Sequence, residues 1–126
     1  MRPTMDLVKE YLASEGYRYD IDSDGDLHFK IESLNFYCTN NGNDDKFLRI
    51  IMPGIYEVEN NRVKVLEACN KITRDYKVVK AFLVEDRLWL TVEMFVDSSP
   101  EVGDFIQIIF SILINAYKDI AKEILG

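Results

Sequence analysis

The residues best suited to chemistry lie between Asp20 and His28. Asp20, Asp22, Asp24 and Asp26 alternate with Ile21, Ser23 and Gly25, and the single histidine follows two positions later. Carboxylates at the first, third and fifth positions, glycine at the sixth and a bidentate glutamate at the twelfth make a helix–loop–helix calcium site. Counted from Asp20, the twelfth residue is Ile31, and Glu32 comes one place late. The flanks also alternate as strands do. The spacing therefore predicts an acidic hairpin turn, with Asp24-Gly25 supplying positive backbone dihedrals. An acidic module that binds cations weakly through Asp20–Asp26 is the alternative.

His28 could act as a general base if Asp20 or Asp22 oriented it in a cleft, which would make a small hydrolase. No nucleophile accompanies it, and its place beside Lys30 on the outward side of an alternating run predicts a solvated strand histidine. Cys38 and Cys69 have no metal-ligand spacing and no neighbouring histidine or basic cluster. Each reads as a small buried hydrophobe. The 6 glycines are scattered singly, so no phosphate-cradling loop is present. These patterns predict a chain that is not an enzyme and has no catalytic residue, cofactor or metal.

The elements around those residues follow from periodicity. Leu7, Val8, Tyr11 and Leu12 recur at helical spacing between Thr4, a plausible N-cap, and Gly16, a natural stop, giving a helix over Thr4–Glu15. The period then changes to two. Tyr17, Tyr19 and Ile21, then Leu27, Phe29 and Ile31, then Leu34, Phe36 and Cys38 define three strands joined by the acidic turn and by Glu32-Ser33. Asn40 to Asp45 is a polar loop, and Phe47 to Met52 is a fourth strand that Pro53-Gly54 should end. Asn60 or Asn61 caps a second helix with Val65, Leu66, Cys69 and Ile72 on its apolar face, although Tyr56 to Glu59 could already be helical. Val78–Val84 and Leu88–Phe95 make a hairpin about Glu85-Asp86. Ser98-Ser99-Pro100-Glu101 then starts a long helix, with serine cap, proline in the first turn and glutamate at the positive dipole end. Its polar residues Asp104, Gln107, Ser111 and Asn115 form one narrow stripe, so most of its circumference should be covered. Unbroken to Leu125 it would either bend near Asn115 or project.

The result is one domain over residues 1–126, α+β, an antiparallel sheet with helices mainly on one face, in the order αββββαββα. Its 126 residues suffice for a core without disulfides or metal. Lys and Arg number 15 against 22 Asp and Glu, a net charge of −7, so neither nucleic acid nor an anionic membrane is an expected partner. The charged N-terminus lacks the apolar core of a secretory signal, and Phe105–Ile114 is too short for a membrane span. Together with two unpaired cysteines, this predicts a cytoplasmic protein.

Both faces of the last two strands carry large apolar groups: Leu88, Leu90, Val92 and Met94 against Trp89 and Phe95, and Val79, Ala81 and Leu83 against Phe82. A sheet with helices on one face should have a wet second face. Phe82, Trp89 and Phe95 are therefore the expected partner or dimer surface.

Across nearly its whole length the chain resembles the YbjN family, bacterial proteins labelled sensory transduction regulators. The resemblance rests on Gly16-Tyr17 leading into Asp22–Leu27, on Phe47-Leu48-Arg49-Ile50 and on Ala68-Cys69-Asn70. It continues through Lys77-Val78-Val79-Lys80 and Trp89-Leu90-Thr91-Val92-Glu93 to the apolar last helix. It implies a fold like that of the type III secretion chaperones, commonly dimers that hold a peptide, and carries over no active-site residue. The expected function is a non-enzymatic, homodimeric protein-binding or regulatory module with chaperone-like architecture.

Overall fold

The computed structural model describes residues 4–40, 46–96 and 102–126. Their order is α1 (Thr4–Ser14), β1 (Tyr19–Ile21), β2 (Leu27–Ile31), β3 (Leu34–Cys38), β4 (Phe47–Glu57), α2 (Arg62–Asp75), β5 (Val79–Val84), β6 (Arg87–Phe95) and α3 (Val102–Leu125). This is the predicted αββββαββα order. The strands form one antiparallel sheet, β1-β2-β3-β4-β6-β5. The chain leaves β4 through α2, lands at the far edge as β5, and returns between them as β6.

Alternation decides which face is covered. Leu27, Phe29, Ile31, Phe36, Cys38, Leu48, Ile50, Met52, Leu88, Leu90 and Val92 are buried in one cluster with the inward residues of all three helices. Phe110 of α3 meets Phe29 at 5.4 Å, Phe36 at 5.7 Å and Tyr11 at 5.8 Å between ring centroids, so α3 docks over the meander. Helix α3 is continuous and remains covered to Ile124, which is buried, because α2 packs against it. Tyr76 donates to Asp119 and Lys71 to Glu123 across that contact. The expected projecting end is thus held down. Gln107, Ser111 and Asn115 do form a wet stripe, widened by Ile108, which is exposed; the side chain of Asp104, expected in the same stripe, lies outside the described residues. The serine and proline start signal at Ser98–Glu101, and most of the polar loop Asn40–Asp45, lie outside the described residues.

Several local expectations change. Gly16 at φ 79° closes a Schellman motif, Tyr17 N–H to Leu12 C=O and Gly16 N–H to Ala13 C=O, so α1 ends at Ser14 and β1 begins at Tyr19 rather than Tyr17. Thr4 lies within α1, and its hydroxyl donates to the Phe47 carbonyl at 2.8 Å, pinning the helix to β4. Asn61 does sit at the α2 N-cap position, but its amide accepts from Glu59 N–H and donates to the Tyr56 hydroxyl.

The largest departure is β4. Pro53-Gly54 does not end it; the strand runs on to Glu57, so Tyr56 and Glu57 are extended and not helical. Met52 pairs with Leu90 and Tyr56 with Leu88, so Pro53, Gly54 and Ile55 bulge opposite Trp89 alone. A bulge tolerates a proline without an N–H and a glycine at φ 60°.

Candidate functional site

The acidic turn is built around one carboxylate. Asp22 Oδ1 accepts from the N–H groups of Asp24 and Asp26, each at 2.9 Å, and the Asp26 carboxylate accepts from Asn40 N–H at 2.8 Å. Asp22 N–H also donates to the Asp26 carbonyl at 2.9 Å. Gly25 has φ 83°, but Asp24 does not share the positive dihedral expected of it. Oxygens of Asp22, Asp24 and Asp26 approach within 4.8 Å of one another. The Asp22 oxygen is already committed to the backbone, as an Asx turn requires.

His28 lies on the outer face of β2 with its ring stacked on Tyr37 at 4.7 Å. Its Nδ1 is 3.2 Å from Asp20 Oδ1 and its Nε2 is 2.9 Å from Asn35 Oδ1. Both nitrogens meet an acceptor on a neighbouring strand, so the imidazole fastens β1, β2 and β3 together. Cys38 and Cys69 are both free and buried. Burial, with the Asp26 charge adding to it, pushes the Cys38 thiol up to about 12, and burial alone pushes Cys69 up to about 11. Neither offers a thiolate near neutral pH.

The outer sheet face is different in kind. Register places Phe82 beside Trp89, with ring centroids 6.3 Å apart, and Phe47 beside Phe95, 5.3 Å apart and edge to face. Phe95 is 73% exposed, while Phe82 and Trp89 are half-buried. Trp89 and Phe95 are six positions apart on β6, about 20 Å of strand between the two aromatic pairs. The three predicted residues therefore share a face but not a patch. Beside Trp89 the β4 bulge breaks the ladder; on its other side β5 keeps it.

Between the pairs lies a charged group that the sequence reading did not single out. Glu93 Oε1 accepts from Arg49 Nε at 3.0 Å, and Glu93 Oε2 accepts from Lys80 Nζ at 2.9 Å. The Glu93 side chain keeps only 19% of its exposure. Burial pushes its carboxyl up, but the hydrogen bonds and charges of Lys80 and Arg49 outweigh this and hold it below the ordinary carboxylate range. Arg49, Lys80, Phe82 and Glu93, with Thr73 and Ala81, line an open recess of about 550 Å³. Thr73 Oγ1 accepts from Ala81 N–H at 2.9 Å and lies 3.4 Å from the Ala81 carbonyl, so α2 closes that part of the β5 edge. The outward parity of Arg49, Lys80 and Glu93 was legible. Their meeting depends on the β4–β6 register, which no local pattern encodes.

Charge on this face departs from the chain as a whole. Register puts Lys30, Arg49, Lys80 and Arg87 on it against Asp20, Glu57 and Glu93, in a chain of net charge −7. Among the described residues no helix is long and apolar enough to cross a membrane.

The family described as "Putative bacterial sensory transduction regulator", YbjN, matches residues 4–119. Three solved structures are similar in fold. An uncharacterized protein of Methanothermobacter thermautotrophicus has a TM-score of 0.69 at 14% identity, covering 97% of this chain and 96% of that one. YbjN of E. coli, described as a transcription regulator with the same qualifier, has a TM-score of 0.69 at 16% identity, covering 95% and 90%. The Yersinia pestis type III secretion chaperone SycH, solved in complex with a stable fragment of YscM2, has a TM-score of 0.61 at 15% identity, covering 92% and 98%. At these identities the likeness is one of fold. No curated protein matches the chain.

Proposed function

From its place in the YbjN family, to which this chain belongs, we propose that it is a non-enzymatic, dimeric protein-binding or regulatory module working through the outer face of its sheet. One observation carries this reading: among the described residues no helix packs on that face, yet it bears Phe82, Trp89, Phe47 and Phe95, the last 73% exposed. Large aromatic groups on an otherwise polar surface are what a protein interface buries, with a charged rim around them. The complex of SycH with a fragment of YscM2 supports the idea that this fold can hold a protein segment.

The absence of catalysis rests on separate grounds. The imidazole of His28 is engaged at both nitrogens by Asp20 and Asn35, and both thiols are held protonated by burial. We assign the working protein to the cytoplasm, where buried, unpaired Cys38 and Cys69 suit a reducing compartment.

Trp89 is the only tryptophan, so its fluorescence reports on this face alone. A blue shift of its emission as concentration rises from nanomolar to tens of micromolar, abolished by Phe82→Ser, is the expected result. An emission maximum independent of concentration would count against the dimer.

A further inference from the structure

One carboxylate cannot neutralise two cations. Glu93 holds both Arg49 and Lys80, which leaves the group one positive charge in excess in a chain of net charge −7. Arg49 reaches Glu93 through Nε, and its two Nη amines have no protein acceptor among the described residues. Those parallel donors are the part of a guanidinium that grips a carboxylate with two hydrogen bonds. Lys80 has a second ammonium proton to offer at the same recess, and its side chain is 57% exposed.

The recess also has an apolar wall. Phe82 lines it and continues onto Trp89, where the β4 bulge opposes the indole strand position. Lys80 and Phe82 are two residues apart on β5, about 7 Å along the strand. That is also the distance between residues i and i+2 of any extended chain.

We infer that this recess binds an acidic side chain of an extended partner-protein segment, whose carboxylate meets Arg49 and Lys80 while an apolar side chain two residues further on packs against Phe82 and Trp89. The inference rests on the outer face being a protein-binding surface, and it adds the chemistry of what is bound. Charge complementarity fixes the occupant: a basic segment would be drawn to the acidic remainder of the surface and repelled here.

The test uses the full-length, nitrogen-15-labelled chain and two capped peptides, acetyl-Thr-Glu-Thr-Phe-Thr-amide and its glutamine counterpart, followed by NMR titration to millimolar peptide. The glutamate peptide is expected to shift the Trp89 indole N–H and the Lys80 and Phe82 amides, and to bind roughly 5- to 20-fold more tightly than the glutamine peptide. Raising salt to about 0.5 M should erode most of that difference. Lys80→Gln, at an exposed position, and Arg49→Gln should each reduce the discrimination, weakening the glutamate peptide more than the glutamine peptide. Equal binding of both peptides at these residues would overturn carboxylate recognition and leave the protein-binding face standing. No shift with either peptide would overturn the inference, and the oligomeric state would then judge the face by itself. A second copy and a bound segment compete for Phe82 and Trp89, so those two residues shift with protein concentration alone; if Lys80 shifts with them and Arg49→Gln abolishes the Lys80 shift, the occupant of the recess is a second copy and a separate partner is refuted.

Discussion

Replacing Glu93 with glutamine keeps the side chain's size and removes the charge that sits between Arg49 and Lys80. At about 3 Å and an effective dielectric near 20, each pair is worth roughly 5 kcal/mol of gross Coulomb attraction. Desolvation of a carboxylate that keeps 19% exposure, and the ordering of two long cationic side chains, offset most of that. Partly exposed pairs retain about 0.5–1 kcal/mol each, so Glu93→Gln should cost about 1–2 kcal/mol at pH 7. For a domain of this size that is about 4–8 °C in Tm. The acid dependence sharpens the expectation. The folded carboxyl titrates below its ordinary value of 4.5, so its contribution is complete above that pH and is lost as pH falls through the folded value. Urea unfolding of both chains between pH 7 and pH 3 should show a gap that is constant down to about 4.5 and then closes. The other carboxylates titrate alike in both chains, so the difference isolates this one. Equal stability at pH 7, or a gap that persists undiminished into acid, would refute the reasoning.

Other substitutions probe the scaffold beneath the site. Asp22→Ala removes the acceptor for two backbone N–H groups of the acidic turn and should cost about 1–2 kcal/mol, whereas Asp22→Asn, which keeps an Oδ1, should cost less than half as much in the same urea assay. Val78 is a β-branched residue at φ 59° with 48% of its surface exposed, so Val78→Gly should raise stability by about 1 kcal/mol; a loss of that size would show the strain is not there. Cys38 and Cys69, with thiols pushed up to about 12 and about 11, should react with a disulfide reagent at pH 8 only on unfolding, and rapid labelling of the native protein would contradict their burial.

Local signals carried most of the architecture. The change of period from helical to two after Gly16 marked the meander, and the polar stripe Gln107, Ser111 and Asn115 marked a helix covered on most sides. The hairpin at Glu32-Ser33 was legible too, and both residues take positive φ, at 52° and 66°. Features that depend on pairing between distant strands were not legible. Pro53-Gly54 carries a stop signal in any sequence, and only the β6 partner shows that it is a bulge facing Trp89. Phe82, Trp89 and Phe95 share outward parity, but the register puts about 20 Å between the Phe82–Trp89 pair and Phe95. The same register brings Arg49 and Lys80 onto Glu93 from strands on either side of β6. Asp20–Asp26 drew attention by residue type, and its geometry is that of a backbone turn with Asp22 at its centre.

The most direct test of the outer face as an interface is the solution mass by sedimentation equilibrium, from micromolar to millimolar chain, for the wild type and for Trp89→Ser. The wild type should sediment at twice the chain mass across the micromolar range, and Trp89→Ser should fall to the monomer while keeping its far-ultraviolet circular dichroism. A wild type that stays monomeric to millimolar concentration, or a dimer that Trp89→Ser leaves intact, would contradict the account.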